Sequence, residues 1–182
     1  MSQRRVSEDL RYPIGRFIPP NDTGKKQRDI WVGEIEILPT QIRKVVAELN
    51  DQQVDTIYRE GGWTIRQLVH HLPDSHMNSY ARFRLALTEN NPIIKPYRED
   101  AWADLADARS APVELSLKLL EALHARWVIL LRSMDEDQFG RVFEHPETGQ
   151  MSLACTLGLY AWHGRHHLAQ IDTARARRGW SA

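Results

Sequence analysis

Two histidines near the C-terminus have the spacing of metal ligands. His163 and His167 lie four residues apart in the stretch Leu159–Leu168. On a helix, residues at i and i+4 project from the same face, so both imidazoles would point at one spot. Neutral imidazole is a good ligand for Zn, Ni, Cu and Fe ions. The pair therefore predicts half of a divalent-metal site on a helix.

The residues around this pair indicate which way it faces. At helical spacing, an apolar stripe runs along the same side of the segment as the histidines, so both rings should point into the protein. Burying an imidazole without a polar partner costs about 1–3 kcal/mol. A single inward histidine is typical of a hydrogen-bonded core residue, whereas two on one stripe favour metal ligands. The stripe comprises Leu153, Thr156, Leu157, Tyr160, Gly164, Ile171 and Ala174.

A third ligand is predicted from a second helix. Thr64 and Gln67 have the spacing of a capping box, so a helix should begin there and continue to about residue 88. At 100° per residue, His71 lies nearer the centre of its apolar stripe than His70 does. Three neutral imidazoles would leave a tetrahedral ion one open position, as in catalytic zinc sites. Gly164 follows His163 where H-E-x-x-H peptidases have Glu, which disfavours peptidase chemistry.

Hydrophobic periodicity predicts the elements that position these residues. Four helices are expected, at about 29–50, 64–88, 111–134 and 152–178. Residues 1–27 should form an extended N-terminal arm, residues 89–110 a long crossover, and residues 135–151 a polar segment with a hairpin turn at Pro146 and Gly149. We expect a single all-α domain over residues 1–182. Its architecture would be a four-helix bundle with a long crossover between helices two and three.

Composition excludes several classes of function. The 24 Lys and Arg residues balance the 24 Asp and Glu residues, which argues against a nucleic-acid surface. The single Cys155 excludes an intrachain disulfide framework and fits a reducing compartment, so we interpret it as a small core residue in mid-helix. No apolar stretch is long enough to span a membrane. A cytoplasmic protein with no membrane or nucleic-acid partner is expected.

Longer motifs resemble a known family. From about Leu10 to Trp180, the chain is similar to the YfiT-like metal-dependent hydrolases of the DinB superfamily. The resemblance implies a metal held by the second His of the His-His pair and by the H-x-x-x-H of the last helix, which here are His71, His163 and His167. It also implies a cytoplasmic homodimer with one Zn or Ni ion per chain. The motifs that carry it are Arg11–Gly15, Gly61–Gln67, His70–His71, Asp74–Asn78, Leu123–Trp127 and Gly158–His163.

The resemblance leaves the reaction open between two enzymatic classes. The family is described as hydrolytic, and a small-molecule substrate would react with a water at the open metal position. Other members of the superfamily transfer low-molecular-weight thiols such as bacillithiol to electrophiles, so a thiol S-transferase is the alternative. A third interpretation is a metal-stabilised bundle without catalysis. It would require a fourth protein ligand, and the histidine stripe of the last helix contains no Asp, Glu or Cys.

Catalytic residues other than ligands are less clearly indicated. His124 lies on the buried side of helix three, either near the substrate or as a hydrogen-bonded core residue. His76 and Asn78 follow Pro73, whose missing backbone donor could open the helix and turn them towards the pocket; ordinary surface polarity is the alternative. Two histidines adjacent to the proposed ligands are expected to be solvated or to lie behind the ligands: His70 and His166.

Overall fold

A computed structural model describes residues 10–180 of the chain. Residues 12–24 form neither helix nor strand. The elements that follow are α1 (Lys25–Ala47), α2 (Asp51–Val54), α3 (Ile65–Thr88), α4 (Glu99–Ala103), α5 (Ala106–Ser110), α6 (Val113–Ser133), α7 (Glu136–Gly140), β1 (Val142–His145), β2 (Gly149–Ser152) and α8 (Leu153–Arg178).

The long helices α1, α3, α6 and α8 form the predicted four-helix bundle. Helix α1 packs mainly against α6 and α8, and α3 packs mainly against the same two helices. Helices that follow one another in the chain, α1 and α3 or α6 and α8, are therefore not the main neighbours around the bundle. The crossover between α3 and α6 contains the short helices α4 and α5, which both pack on α3. This arrangement places α3 against α8.

Local hydrogen bonds define the ends of the two helices that carry the site. Thr64 accepts a bond from the Gln67 backbone N–H, and the Gln67 side chain accepts one from the Thr64 N–H, which is the predicted capping box of α3. Ser152 caps α8 by accepting a bond from the Cys155 N–H. Gly179 ends α8 with a φ of 67°, a left-handed conformation that glycine adopts without steric cost.

Some predicted boundaries are wrong. Helix α1 begins at Lys25, so the arm is shorter than the predicted 1–27, of which residues 1–9 lie outside the described residues. The first turn of α1 is polar, and an apolar pattern does not detect it. Helix α1 also ends at Ala47, because the Asn50 side chain caps a separate helix by accepting a bond from the Gln53 N–H. Pro39 remains inside α1.

The segment between α6 and α8 contains the predicted hairpin. Strands β1 and β2 pair antiparallel, with His145 opposite Gly149. Gly149 has a φ of 78°, which explains the glycine at this turn.

Cys155 lies in the first turn of α8 and is half-buried, so its interpretation as a mid-helix core residue is wrong. Across residues 10–180, each helix is too short or too polar to cross a membrane.

A glycine allows α1 and α8 to approach closely beside the site. Gly164 is buried, and a Cβ atom built there would clash with Cδ2 of Leu38, a buried residue of α1. Gly158, which lies nearer the N-terminus of α8, faces the Trp31 ring. A Cβ atom built at Gly158 would lie 3.1 Å from the nearest ring atoms. The absence of side chains at these two positions allows α8 to lie close to α1.

Candidate metal centre

The structure brings the three predicted ligands together between α3 and α8. The Nε2 atom of His163 lies 3.2 Å from Nε2 of His71 and 3.1 Å from Nε2 of His167. The ligand atoms of the three side chains all lie within 4.8 Å of one another. Ligands bound tetrahedrally at about 2.0–2.1 Å from a zinc ion are about 3.3 Å apart. The two short separations therefore match those in a metal centre.

Burial keeps these imidazoles in the neutral form that binds a metal. His71 and His167 are buried, and His163 is partly exposed. Burial lowers the pKa of His71 from 6.5 to about 4. Burial, followed by the proximity of the other histidines, lowers the pKa of His163 and of His167 well below the ordinary value. At neutral pH each ring is ready to bind a cation without first losing a proton.

Gln170, one turn beyond His167, sets the orientation of that ring. The Gln170 side-chain Nε2 lies 2.8 Å from the Arg11 carbonyl oxygen, which can only accept, so the amide nitrogen must face it. The amide Oε1 then faces His167 Nδ1 at 2.8 Å and accepts its hydrogen. His167 Nε2 is consequently left with a lone pair directed at the cluster, as a metal ligand requires.

A cleft of about 230 Å³ opens onto the three histidines. Its walls are largely aromatic, and charged side chains of both signs line it. Within residues 10–180, the cluster of possible ligands comprises only the three histidines and no carboxylate or thiolate. A bound ion would thus have a position open to the cleft. The aromatic lining residues are Tyr12, Tyr58, Trp63 and Trp162, and the charged ones are Arg11, Arg59, Glu99 and Asp100.

Two of the three further candidates lie behind the ligands. His76 is fully buried, with Nε2 3.1 Å from His163 Nδ1 and Nδ1 2.9 Å from His124 Nε2. Neither His76 nor His124 lines the cleft. The Asn78 side chain donates to the Asp74 carbonyl within its own helix at 2.8 Å, so the structure does not bring it to the cluster. The expected local opening after the proline is wrong, because α3 continues to Thr88.

The histidines next to the ligands, His70 and His166, are both buried, which excludes the solvated alternative for each. His70 donates from Nε2 to the Ala111 carbonyl at 3.1 Å and accepts at Nδ1 from the Ser116 hydroxyl at 2.7 Å. Helix α6 covers this side of α3, which explains the burial. His166 lines the cleft and accepts a bond at 2.9 Å from Gln170 Nε2, so it shares the amide that orients His167.

Gln170 and most residues that line the cleft were not predicted from the sequence. A Gln three residues after a ligand on the same helix can reach the ligand's second nitrogen, and this spacing was the available signal. The contribution of Arg11 could not be predicted from its residue type, because its backbone carbonyl, and not its side chain, accepts the hydrogen bond from Gln170. The N-terminal segment therefore participates in the support of the site through its main chain.

Comparison with known proteins identifies the family. Residues 34–171 match the family model of the DinB superfamily. The chain belongs to the DinB superfamily. A Bacillus cereus relative is 54% identical over 172 residues, which cover 94% of this chain and 99% of the relative. A Bacillus anthracis relative is also 54% identical over 172 residues with the same coverage. Both are provisionally named metal-dependent hydrolases.

A solved structure has the same fold. YfiT from Bacillus subtilis is 49% identical, with a TM-score of 0.93 over 95% of this chain and 99% of that one. It is provisionally described as a metal-dependent hydrolase with an unusual four-helix bundle topology. The order of helices around this bundle, in which α1 and α3, and likewise α6 and α8, are not the main neighbours, is consistent with that description.

Proposed function

We propose that this DinB-superfamily protein is a metal-dependent hydrolase that binds one divalent ion per chain, preferably zinc, through Nε2 of His71, His163 and His167. The observation that carries the proposal is the convergence of these three neutral imidazoles at the floor of an open cleft. The provisional names of the relatives support the same activity. Three histidines with one open position are typical of catalytic rather than structural zinc.

Each part of the site would have a defined task. A divalent ion held there would supply Lewis acidity and lower the pKa of a bound water towards neutrality. Gln170 orients His167 through its amide oxygen. Of the charged lining residues, Arg11 and Arg59 would attract an anionic group of the substrate, and Glu99 and Asp100 a cationic one.

The substrate that fits this cleft is a small polar molecule. A volume of about 230 Å³ is below the usual range for drug-sized ligands, about 300–1,000 Å³. The open position could also receive a thiolate, so a low-molecular-weight thiol is the alternative second reactant. We further propose that the protein is a cytoplasmic homodimer. The single, free Cys155 fits a reducing compartment, and the resemblance to the family supports the dimer.

The test is an activity panel on the zinc-loaded protein. Small esters and amides are offered with and without added bacillithiol or glutathione, and the His163→Ala variant serves as the control. The proposal predicts thiol-independent hydrolysis that rises with pH through a pKa near 7 and is lost in His163→Ala.

Each alternative has its own outcome in the same panel. Conjugation of an electrophile that requires the thiol and saturates with its concentration would replace the hydrolase by a thiol S-transferase. Absence of any turnover, with zinc bound and a protein side chain as fourth ligand, would overturn both enzymatic functions in favour of a structural metal.

A further inference from the structure

A continuous run of hydrogen bonds leads from ligand His163 into the core. His163 Nδ1 lies 3.1 Å from His76 Nε2, and His76 Nδ1 lies 2.9 Å from His124 Nε2. His124 Nδ1 lies 2.6 Å from the backbone oxygen of Ile35. These residues come from α8, α3, α6 and α1 in turn, so the run crosses every long helix of the bundle.

The carbonyl at the end of this run determines the direction of every bond in it. A carbonyl oxygen only accepts, so His124 must carry its hydrogen on Nδ1. Burial keeps the ring neutral, which leaves His124 Nε2 without a hydrogen, so it accepts from His76 Nδ1. His76 Nε2 is then also without a hydrogen and accepts from His163 Nδ1. As a result, His163 presents a bare Nε2 to the cluster.

Two backbone carbonyl groups in different segments thus favour the same tautomer in two of the ligands. The Ile35 carbonyl acts on His163 through two rings, and the Arg11 carbonyl acts on His167 through Gln170. The two Nε2 lone pairs face each other at 3.1 Å without a hydrogen between them. A cation between these nitrogens would relieve their repulsion.

We propose that His76 and His124 are positioning residues that hold His163 in the tautomer and orientation needed to bind a divalent metal. This inference rests on the metal site of the proposed function. Hydrogen-bonded partners behind a ligating histidine orient its ring and raise its basicity, and losing one typically weakens metal binding about 10–100-fold. A core histidine that only satisfied its own hydrogen bonds would have no such effect on affinity.

His70 provides a matched control on the same helix. It is buried like His76, but its ring nitrogens bond to Ser116 and to the Ala111 carbonyl, neither of which belongs to the run. Phenylalanine at position 70 or 76 would fill a similar volume while removing the ring nitrogens. Comparison of His70→Phe with His76→Phe distinguishes the effect of breaking the hydrogen-bond run from the effect of removing any buried histidine.

The first measurement is zinc affinity by competition with a chromophoric chelator. His76→Phe is expected to weaken binding about 10–100-fold, and His124→Phe in the same direction, whereas His70→Phe should retain the wild-type affinity. Equal weakening in His70→Phe would show general loosening of the bundle and overturn the inference. Wild-type affinity in His76→Phe would also overturn it while leaving the proposed function intact. A wild-type protein that binds no zinc would instead refute the metal site itself.

The second measurement reads the tautomers directly and requires no variant to fold. Long-range ¹H–¹⁵N correlation spectra of the zinc-loaded wild type should show His76 and His124 protonated at Nδ1. Protonation of His76 at Nε2 would overturn the proposal. His124→Gln offers a rescue, because its amide can accept from His76 and donate to the Ile35 carbonyl; it should bind zinc more tightly than His124→Phe.

Discussion

Acid should destabilise the metal-free protein through its buried histidines, and His124 provides a worked case. Burial lowers the pKa of His124 from 6.5 to about 4, with its bond to the Ile35 carbonyl opposing the shift. Because the unfolded chain takes up this proton near pH 6.5 and the folded protein does so only near pH 4, stability is lost as the pH falls through this window.

The size of the effect follows from these two values. When the pH falls from 7.5 to 5, protonation of this histidine stabilises the unfolded state relative to the folded state by about 2 kcal/mol. A domain of this size has a total stability of about 5–15 kcal/mol, so a single histidine should visibly shift a denaturation curve. The other buried histidines shift in the same direction, and their contributions add to the fall.

The assay is urea denaturation of chelator-treated protein at several pH values, for wild type and His124→Phe. The variant should be less stable at pH 7.5 because it loses two hydrogen bonds, but its decline to pH 5 should be about 2 kcal/mol smaller. Leu120→Ala is the control: this buried leucine lies one turn earlier on α6, and its loss should cost about 2–5 kcal/mol at every pH without changing the slope. Equal pH slopes for His124→Phe and wild type would show that His124 does not contribute to the loss of stability in acid.

Three further predictions concern packing, metal and assembly. Gly164→Ala should destabilise the protein by about 1–3 kcal/mol in urea titration, because its Cβ would clash with Leu38; Gly140→Ala, which meets open space, should have a smaller effect. Chelation should lower the melting temperature without unfolding the protein, since a ligand at about 1,000 times its Kd contributes only about 4 kcal/mol; an unchanged melting temperature would argue against bound metal. Light scattering should give twice the 21.1 kDa chain mass, and a monomer mass would contradict the homodimer.

The features that could be predicted from the sequence are those set by local geometry. The capping box of Thr64 and Gln67 involves residues three apart, and the structure shows both of its bonds. His163 and His167 are related by a single helical turn, so their common direction follows from the period of the helix. Selecting His71 rather than His70 required only the local apolar stripe, and His71 is the one that reaches the cluster.

The features that could not be predicted depend on long-range packing. Helix α3 is covered by α6, α8 and the crossover helices, so burial extends beyond one stripe, and His70 is enclosed although it lies off the apolar centre. The contact between His76 and His124 joins residues 48 positions apart on different helices. The periodicity of a sequence does not show which faces of two different helices contact each other. The run of hydrogen bonds behind His163 therefore could not be predicted.

Metal content, measured on the wild type and five purified variants, is the decisive test of the proposed site. The wild-type protein should contain about one divalent ion per chain by elemental analysis. His71→Ala, His163→Ala and His167→Ala should each lose tight binding, whereas His70→Ala and His166→Ala should retain it, because neither ring belongs to the three that converge. A full complement of metal in His71→Ala, or its loss in His70→Ala alone, would contradict the assignment of the site.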